Sequence, residues 1–270
     1  GLVAAREGVT RVRIFNVNTQ KIIHADVPVQ DAEPQWRGDC SIDGVPGTGA
    51  PIALDFSRAV GAATGRLMPL RQAATVLPVD GVGEVELSVV DGANLVVCVP
   101  AAAVGLVGTE LPPALHAVPG LAPRLDAIRK AVAYAVGLAD YWNTAAAPAT
   151  PILVLVSPAA AHRLSAPGAS LQADQVDLVC RQFAGGSFTK TVGATVAATI
   201  GMAARLPGSV VVPLLSARAA AQQELRLGHP NGIIQVRALA DPQSGGMACA
   251  LIHRTARRIA EGRVFLRGGG

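Results

Sequence analysis

Two hundred and seventy residues, half of them hydrophobic and only 16% charged, can bury a core and are too apolar for an intrinsically disordered chain. Aromatics at 3% leave Ala, Val, Leu and Ile to build that core, and 29 Gly with 19 Pro point to many turns rather than a helical bundle. The net charge of +4 rests on twenty arginines against three lysines, too modest and too poor in aromatics for a nucleic-acid partner.

In chain order, Val12–Phe15 and Ile22–Val29 read as a hairpin around the polar turn Asn18-Thr19-Gln20. A loop dense in Pro and Gly follows, from Asp39 to Ile52, and Asp55–Leu70 is broken by Gly61, Gly65 and Pro69. Glu84–Val89 alternates polar and apolar as a half-buried strand, Asp91–Asn94 turns the chain, and Leu95–Val99 is a strand apolar on both faces. Pro123–Leu138 is the clearest helix, with Leu125, Ile128, Val132 and Ala135/Val136 on one stripe. Ile152–Val156 is predicted as a buried strand, Asp174–Gln182 as a short helix and Gly193–Ala204 as a helix of small residues. Val210–Leu215 reads as a strand, and Glu224–Leu227 with Ile233–Arg237 as a hairpin. Met247–Ala260 is predicted as a last helix with its arginines on the polar face. Strands and hairpins outnumber helices, which predicts an α+β fold with antiparallel sheets rather than a doubly wound one. The longest apolar runs fall far short of the roughly 20 residues of a membrane helix. No charged-then-apolar leader opens the chain, so a membrane-spanning or exported protein is not expected.

The phosphate loop, the dinucleotide fingerprint, the GxSxG elbow, HExxH and the calcium loop are all missing. Cys40, Cys98, Cys180 and Cys249 are widely spaced, without CxxC or a histidine at ligand spacing, which argues against zinc and disulfides and for a reducing cytoplasm. What remains are loops of small residues. Pro46-Gly-Thr48-Gly49-Ala50 offers either a tight turn or backbone N–H groups for an anion. Gly185–Thr195 runs directly into a helix, so unpaired amides, hydroxyls and Lys190 could face a carboxylate, or simply cap the helix. Asn94 and His229 each fit a turn as well as a site.

The order of these pieces is more informative than any one of them. Arg13–Lys21, Val27-Pro-Val, Ile42-Asp-Gly-Val-Pro-Gly-Thr-Gly-Ala-Pro-Ile52, Leu54-Asp-Phe56 and Gly61–Pro69 are followed by Ser88–Asn94, Ala197–Gly208, Gly228–Gly232 and Thr255–Gly262. Over essentially its whole length the series resembles the PrpF-type isomerases, which include 4-oxalomesaconate tautomerase and methylitaconate isomerase. The resemblance implies a diaminopimelate-epimerase-like fold. Two similar halves each wrap a sheet around a central helix, and the substrate lies between them. It implies a shift of a proton and a double bond in a small di- or tricarboxylic acid, without metal or organic cofactor. The likeness divides the chain into residues 1–78 as the remainder of a first half, 79–245 as the second half and 246–270 as a C-terminal helix returning to the first.

In that family a Cys in an Asn-Cys-Gly-Asn motif and an upstream Lys transfer the proton. Both precede the first residue here, and Gly1-Leu2-Val3 is expected to follow that motif's helix, so no residue is assigned as catalytic, Lys21 and Cys40 included. Thr189-Lys190 stands where the family has His-Lys or His-His, Asn94-Leu95 where it has Asn-Pro, and His229-Pro-Asn-Gly where it has His-Pro-Ser-Gly. The expected carboxylate contacts are Asn94, Lys190, Thr191, Gly193 and Thr195, with Thr48 and Gly49 behind them. The expected partner is a small di- or tricarboxylate, with a homodimer allowed. Two other readings stay open: a carboxylate-binding module without chemistry, and an inactive truncated fragment whose hairpin Val12–Val29 is left uncovered.

Overall fold

In the computed structural model, which describes residues 3–241, 243 and 246–263, the β-branched and alternating stretches form one long mixed sheet. Its main strands are β1 (Gly8–Asn16), β2 (Lys21–Gln30), β3 (Ile52–Asp55), β4 (Thr75–Val79), β5 (Gly83–Asp91) and β6 (Leu95–Pro100). They continue with β7 (Ile152–Pro158), β8 (Leu178–Ala184), β9 (Glu224–His229), β10 (Gly232–Ala240) and β11 (Met247–Arg254). The spatial order is β1-β2-β3-β11-β10-β9-β8-β7-β6-β5-β4. Along that path only β6–β7 and β8–β9 pair in parallel; every other pairing is antiparallel. The α+β expectation holds. The helices are α1 (Pro112–His116), α2 (Leu121–Ala135), α3 (Ala139–Thr144), α4 (Ala194–Ala203) and α5 (Ala217–Ala221). None of them is long and apolar enough to cross a membrane.

The sheet curls around α4. This helix packs against β10 and β11 and also against β5 and β6, strands that stand far apart in the sheet order. Every residue from Val196 to Ala203 is buried, as expected of a helix that is apolar all round. Its small side chains let the sheet come close. A Cβ on Gly201 would lie 2.8 Å from a methyl of Val236 on β10. The one polar group inside, Thr199, donates its hydroxyl to the Thr195 carbonyl and accepts the Asn94 N–H. On the other face, α2 covers β4 and β7. The middle strands are therefore buried on both sides. Val96 and Cys98 point into the layer around α4, while Leu95, Val97 and Val99 point into the layer under α2.

Three expected elements differ. Met247–Arg254 is a strand, not the start of a helix, and closes the sheet by pairing with β10 and β3. Its apolar residues fit a helical stripe on paper, but the buried ones, Ala250 and Ile252, are two apart, and the open edges of β3 and β10 supply backbone partners on both sides. Asp174–Gln182 is a single 3₁₀ turn, Ala173–Gln175, followed by β8. There the run Leu178-Val-Cys fits the slot between β7 and β9 better than an isolated helical turn would. Val210–Leu215 is a 3₁₀ turn over Val212–Leu214, because Pro213 has no N–H to give a ladder and the Val210 N–H goes instead to the Ser88 hydroxyl. Residues 1–2 of the first expected unit and residues 264–270 of the last lie outside the described residues. On the β1–β2 hairpin, Val9, Ile14 and Phe15 are exposed.

Because the α4–β10 contact has no room for a side chain, Gly201→Leu should destabilise the fold by about 1–3 kcal/mol. Urea unfolding followed by circular dichroism checks this; an unchanged midpoint would mean that the helix does not sit inside the sheet.

Candidate functional site

Helix α4 begins at a groove. Its N-cap, Gly193, is extended (φ −63°, ψ 151°) and has no side chain with which to cap the helix, and the first turn contains no acidic residue. The amides of Ala194, Thr195 and Val196 therefore lack intrahelical acceptors, and the positive end of the helix dipole is unanswered. The segment leading into the helix is held by Gln182 of β8. Its carbonyl accepts the Thr189 N–H and its side-chain oxygen accepts the Gly193 N–H, both at 3.0 Å. Gly193 and Ala194 line a groove of about 570 Å³.

The rest of the wall comes from far away in sequence. His229, at the end of β9, lines the groove and is 3% exposed. Its Nδ1 accepts the Asn231 N–H at 3.2 Å, so the neutral ring carries its proton on Nε2, and the backbone of Lys190 is a further hydrogen-bond partner. Burial is the main cause that pushes its pKa down to about 4, with Asp43 opposing and Arg181 and His162 contributing. Arg181 is itself buried and donates to the carbonyls of Glu110, Thr109 and Cys180; its pKa is lowered to about 10, chiefly by burial, so it is still a cation at neutral pH. His229 is thus a neutral holder of the loop rather than a free base: its lone pair is already engaged.

Asp43, from the loop after the first hairpin, is the one acidic residue among the described groove residues. Its Oδ2 accepts the Ile233 N–H at 2.6 Å, which sews the 40s loop to the β9–β10 turn. Gly232 is required there: at φ +138° its missing side chain leaves the space that the Asp43 carboxylate occupies. Across the groove, β11 ends in His253 and Arg254, and the Arg254 Nη1 donates to the His253 carbonyl at 2.9 Å.

Of the seven expected contacts, Thr191 and Gly193 line the groove. Asn94 and Thr195 meet each other at the first turn of α4, where the Asn94 amide donates to the Thr195 hydroxyl at 3.5 Å, outside the groove lining. The side chain of Lys190 is exposed, and only its backbone touches the site, through His229. Thr48 and Gly49 form a two-residue ladder with Ser41 and Cys40; it is those partners that line the groove, while Gly49 packs on Thr255. Sequence reasoning missed Arg254, His253, Asp43 and Gln182, and took His229 for a turn residue. The Asp43-Gly-Val-Pro and His229-Pro-Asn-Gly runs were visible, but nothing local showed that they meet.

The sequence profile described as PrpF protein matches residues 1–267. The chain is 37% identical over 266 residues to the 3-methylitaconate isomerase of Eubacterium barkeri, covering 98% of this chain and 69% of that one. It is 31% identical to the (4E)-oxalomesaconate Delta-isomerase of Novosphingobium sp. strain KA1 (98% and 68%) and 30% identical to the 2-methyl-aconitate isomerase of Shewanella oneidensis (96% and 66%). Among solved structures, a methylitaconate-delta-isomerase superposes with a TM-score of 0.89 at 37% identity, covering 97% of this chain and 67% of that one.

The buried, neutral His229 makes the fold sensitive to acid. The unfolded chain takes up this proton near pH 6.5 and the folded chain only near pH 4, so stability rises with pH across that window and is lost as pH falls through it. His229→Asn should flatten the stability difference between pH 4.5 and pH 7 by up to about 2–3 kcal/mol, measured as urea midpoints. An unaltered difference would show that His229 is protonated in the folded protein.

Proposed function

From the premise that the chain belongs to the PrpF family, we propose that it is an isomerase that moves a proton and a double bond within a small di- or tricarboxylic acid. The relatives are named for 3-methylitaconate, 2-methyl-aconitate and (4E)-oxalomesaconate, unsaturated acids that share a carboxylate conjugated to, or one carbon from, a C=C bond. The fold is the α+β arrangement of diaminopimelate epimerase-like proteins, with a sheet wrapped around a helix whose N-terminus opens into the groove. That uncapped N-terminus is the observation that carries the reading.

A C–H beside such a carboxylate is acidic only if the dienolate left behind is stabilised. A base takes the proton from one allylic carbon, the electron pair moves into the conjugated system, and a proton is returned at the other end. Nothing is oxidised or reduced. The negative charge gathers on the carboxylate oxygens, and fixed amide donors stabilise it without having to reorient. In this reading the amides after Gly193 and the Thr191 hydroxyl hold one carboxylate. Asn94 and Thr195 keep the first turn in place, and Thr48 and Gly49 brace the opposite wall. His229 is not the base in this reading, because its acceptor nitrogen is occupied by the Asn231 N–H. Four free cysteines, two of them fully buried, support a reducing, cytoplasmic setting.

Incubating the chain, extended by the preceding segment to which the family resemblance assigns the proton-transferring Cys and Lys, in D₂O with 3-methylitaconate or 2-methylaconitate should place deuterium at an allylic carbon as the double bond migrates, seen by proton NMR. Binding without deuterium uptake would make the chain a carboxylate-binding module, and neither binding nor uptake would end the proposal. A sharper check is Gly193→Asp. The backbone there is extended, and a Cβ would have only ordinary contacts, at 3.8 Å, so the new carboxylate can cap α4. The melting temperature should hold or rise while carboxylate affinity falls at least tenfold. Unchanged carboxylate affinity in the folded variant would mean that the helix end does not face the ligand.

A further inference from the structure

The fold answers nearly every charge that it buries. Arg181 shares its guanidinium among three backbone carbonyls, and Arg205 does the same with Ala238, Ala220 and Gln222. Arg129 combines two carbonyls with the Asp126 carboxylate, and Arg226 grips Asp177 with two nitrogens. Arg254 is treated differently. It is half-buried at the end of β11, it lines the groove, and it takes part in none of the four ion pairs among the described residues. Its side chain makes one hydrogen bond, from Nη1 to the carbonyl of its own neighbour His253. A guanidinium has five N–H donors in a fixed fork, and taking it partly out of water with most of them idle is unfavourable unless a ligand completes the set.

Among the described residues, Arg254 has no ion-pair partner. Asp43 is committed to the Ile233 N–H on the β9–β10 turn and is not paired with Arg254. Burial lowers the Arg254 pKa, with the Cys40 thiol opposing, the electrostatic counterpart of the same isolation. Arg254 also stands on a different element from the first carboxylate holder. The amides at the end of α4 can answer one negative group, and Arg254 on β11 brings a cation to the same cavity.

We infer that Arg254 is the specificity-determining residue of the groove: it grips a second carboxylate of the substrate in a bidentate manner, so that acids with two or three carboxylates are selected over those with one. The inference rests on the proposed carboxylate-isomerase reading and adds to it which residue counts the carboxylates.

Calorimetric titration of the 270-residue protein with trans-aconitate, itaconate and crotonate (three, two and one carboxylates) tests it. The wild type should bind the first two at least tenfold more tightly than crotonate. Arg254→Gln should erase that preference while changing crotonate affinity less than twofold and leaving the melting temperature unchanged or higher. Arg254→Lys keeps the charge without the fork and should lose a severalfold part of the preference; should the glutamine variant fail to fold, this variant decides. A preference that survives in the substituted proteins overturns the role of Arg254 and leaves the groove reading standing. If the wild type binds none of the three acids, the groove reading fails and takes the inference with it.

Discussion

The enclosure of one small-residue helix by a curled sheet is the constraint on which the rest of the molecule depends. Eight consecutive residues of α4 are buried, so the helix cannot be amphipathic, and its partners must approach from several sides. Gly201 sets how near β10 can come, and Thr199 is tolerated only because Thr195 and Asn94 satisfy its hydroxyl. A helix held in this way has one place where its polar ends can matter. Its N-terminus emerges at the groove, with Gly193 as an N-cap that has no side chain to offer the first amides.

The groove is assembled from four separate stretches of chain, and its electrostatics are controlled from beneath. Burial keeps His229 neutral, opposed by Asp43 and aided by Arg181, which lies buried on backbone carbonyls, and by His162. That neutrality lets His229 accept from Asn231 and steady the Lys190 backbone, so the segment that carries Thr191 and Gly193 has a firm floor. Gln182 holds the same segment from the β8 side. Asp43 accepts the Ile233 N–H with its Oδ2, which ties the wall of the groove to the β9–β10 turn. Among the described residues, the groove lining holds one acidic side chain, and that one accepts a backbone N–H.

This arrangement suits a reaction whose difficulty is the charge of its intermediate. Backbone amides do not titrate, need no reorganisation as charge develops, and are fixed by the sheet that buries their helix. The named relatives act on related unsaturated acids that differ in the number and placement of carboxylates.

Periodicity determined the hairpin at β1–β2, the helix α2 and the β9–β10 hairpin, because in each the spacing of apolar residues leaves one solution, while β6 and α4, apolar on every side, were legible from the length of their runs and the turns that bound them. The ordered run of small-residue motifs also carried the family. Tertiary structure decided the remainder. Met247–Arg254 fits a helical stripe in sequence, and became a strand because β3 and β10 each had an edge to offer. Leu178–Ala184 was settled by a slot between two strands, and Val210–Leu215 by the missing N–H of Pro213. The site was legible only where it is local, at Thr191 and Gly193 beside the helix start. Asp43, His229 and Arg254 lie in three distant stretches of chain, and a groove residue is defined by what lies opposite it in space, which no spacing along one strand of sequence records.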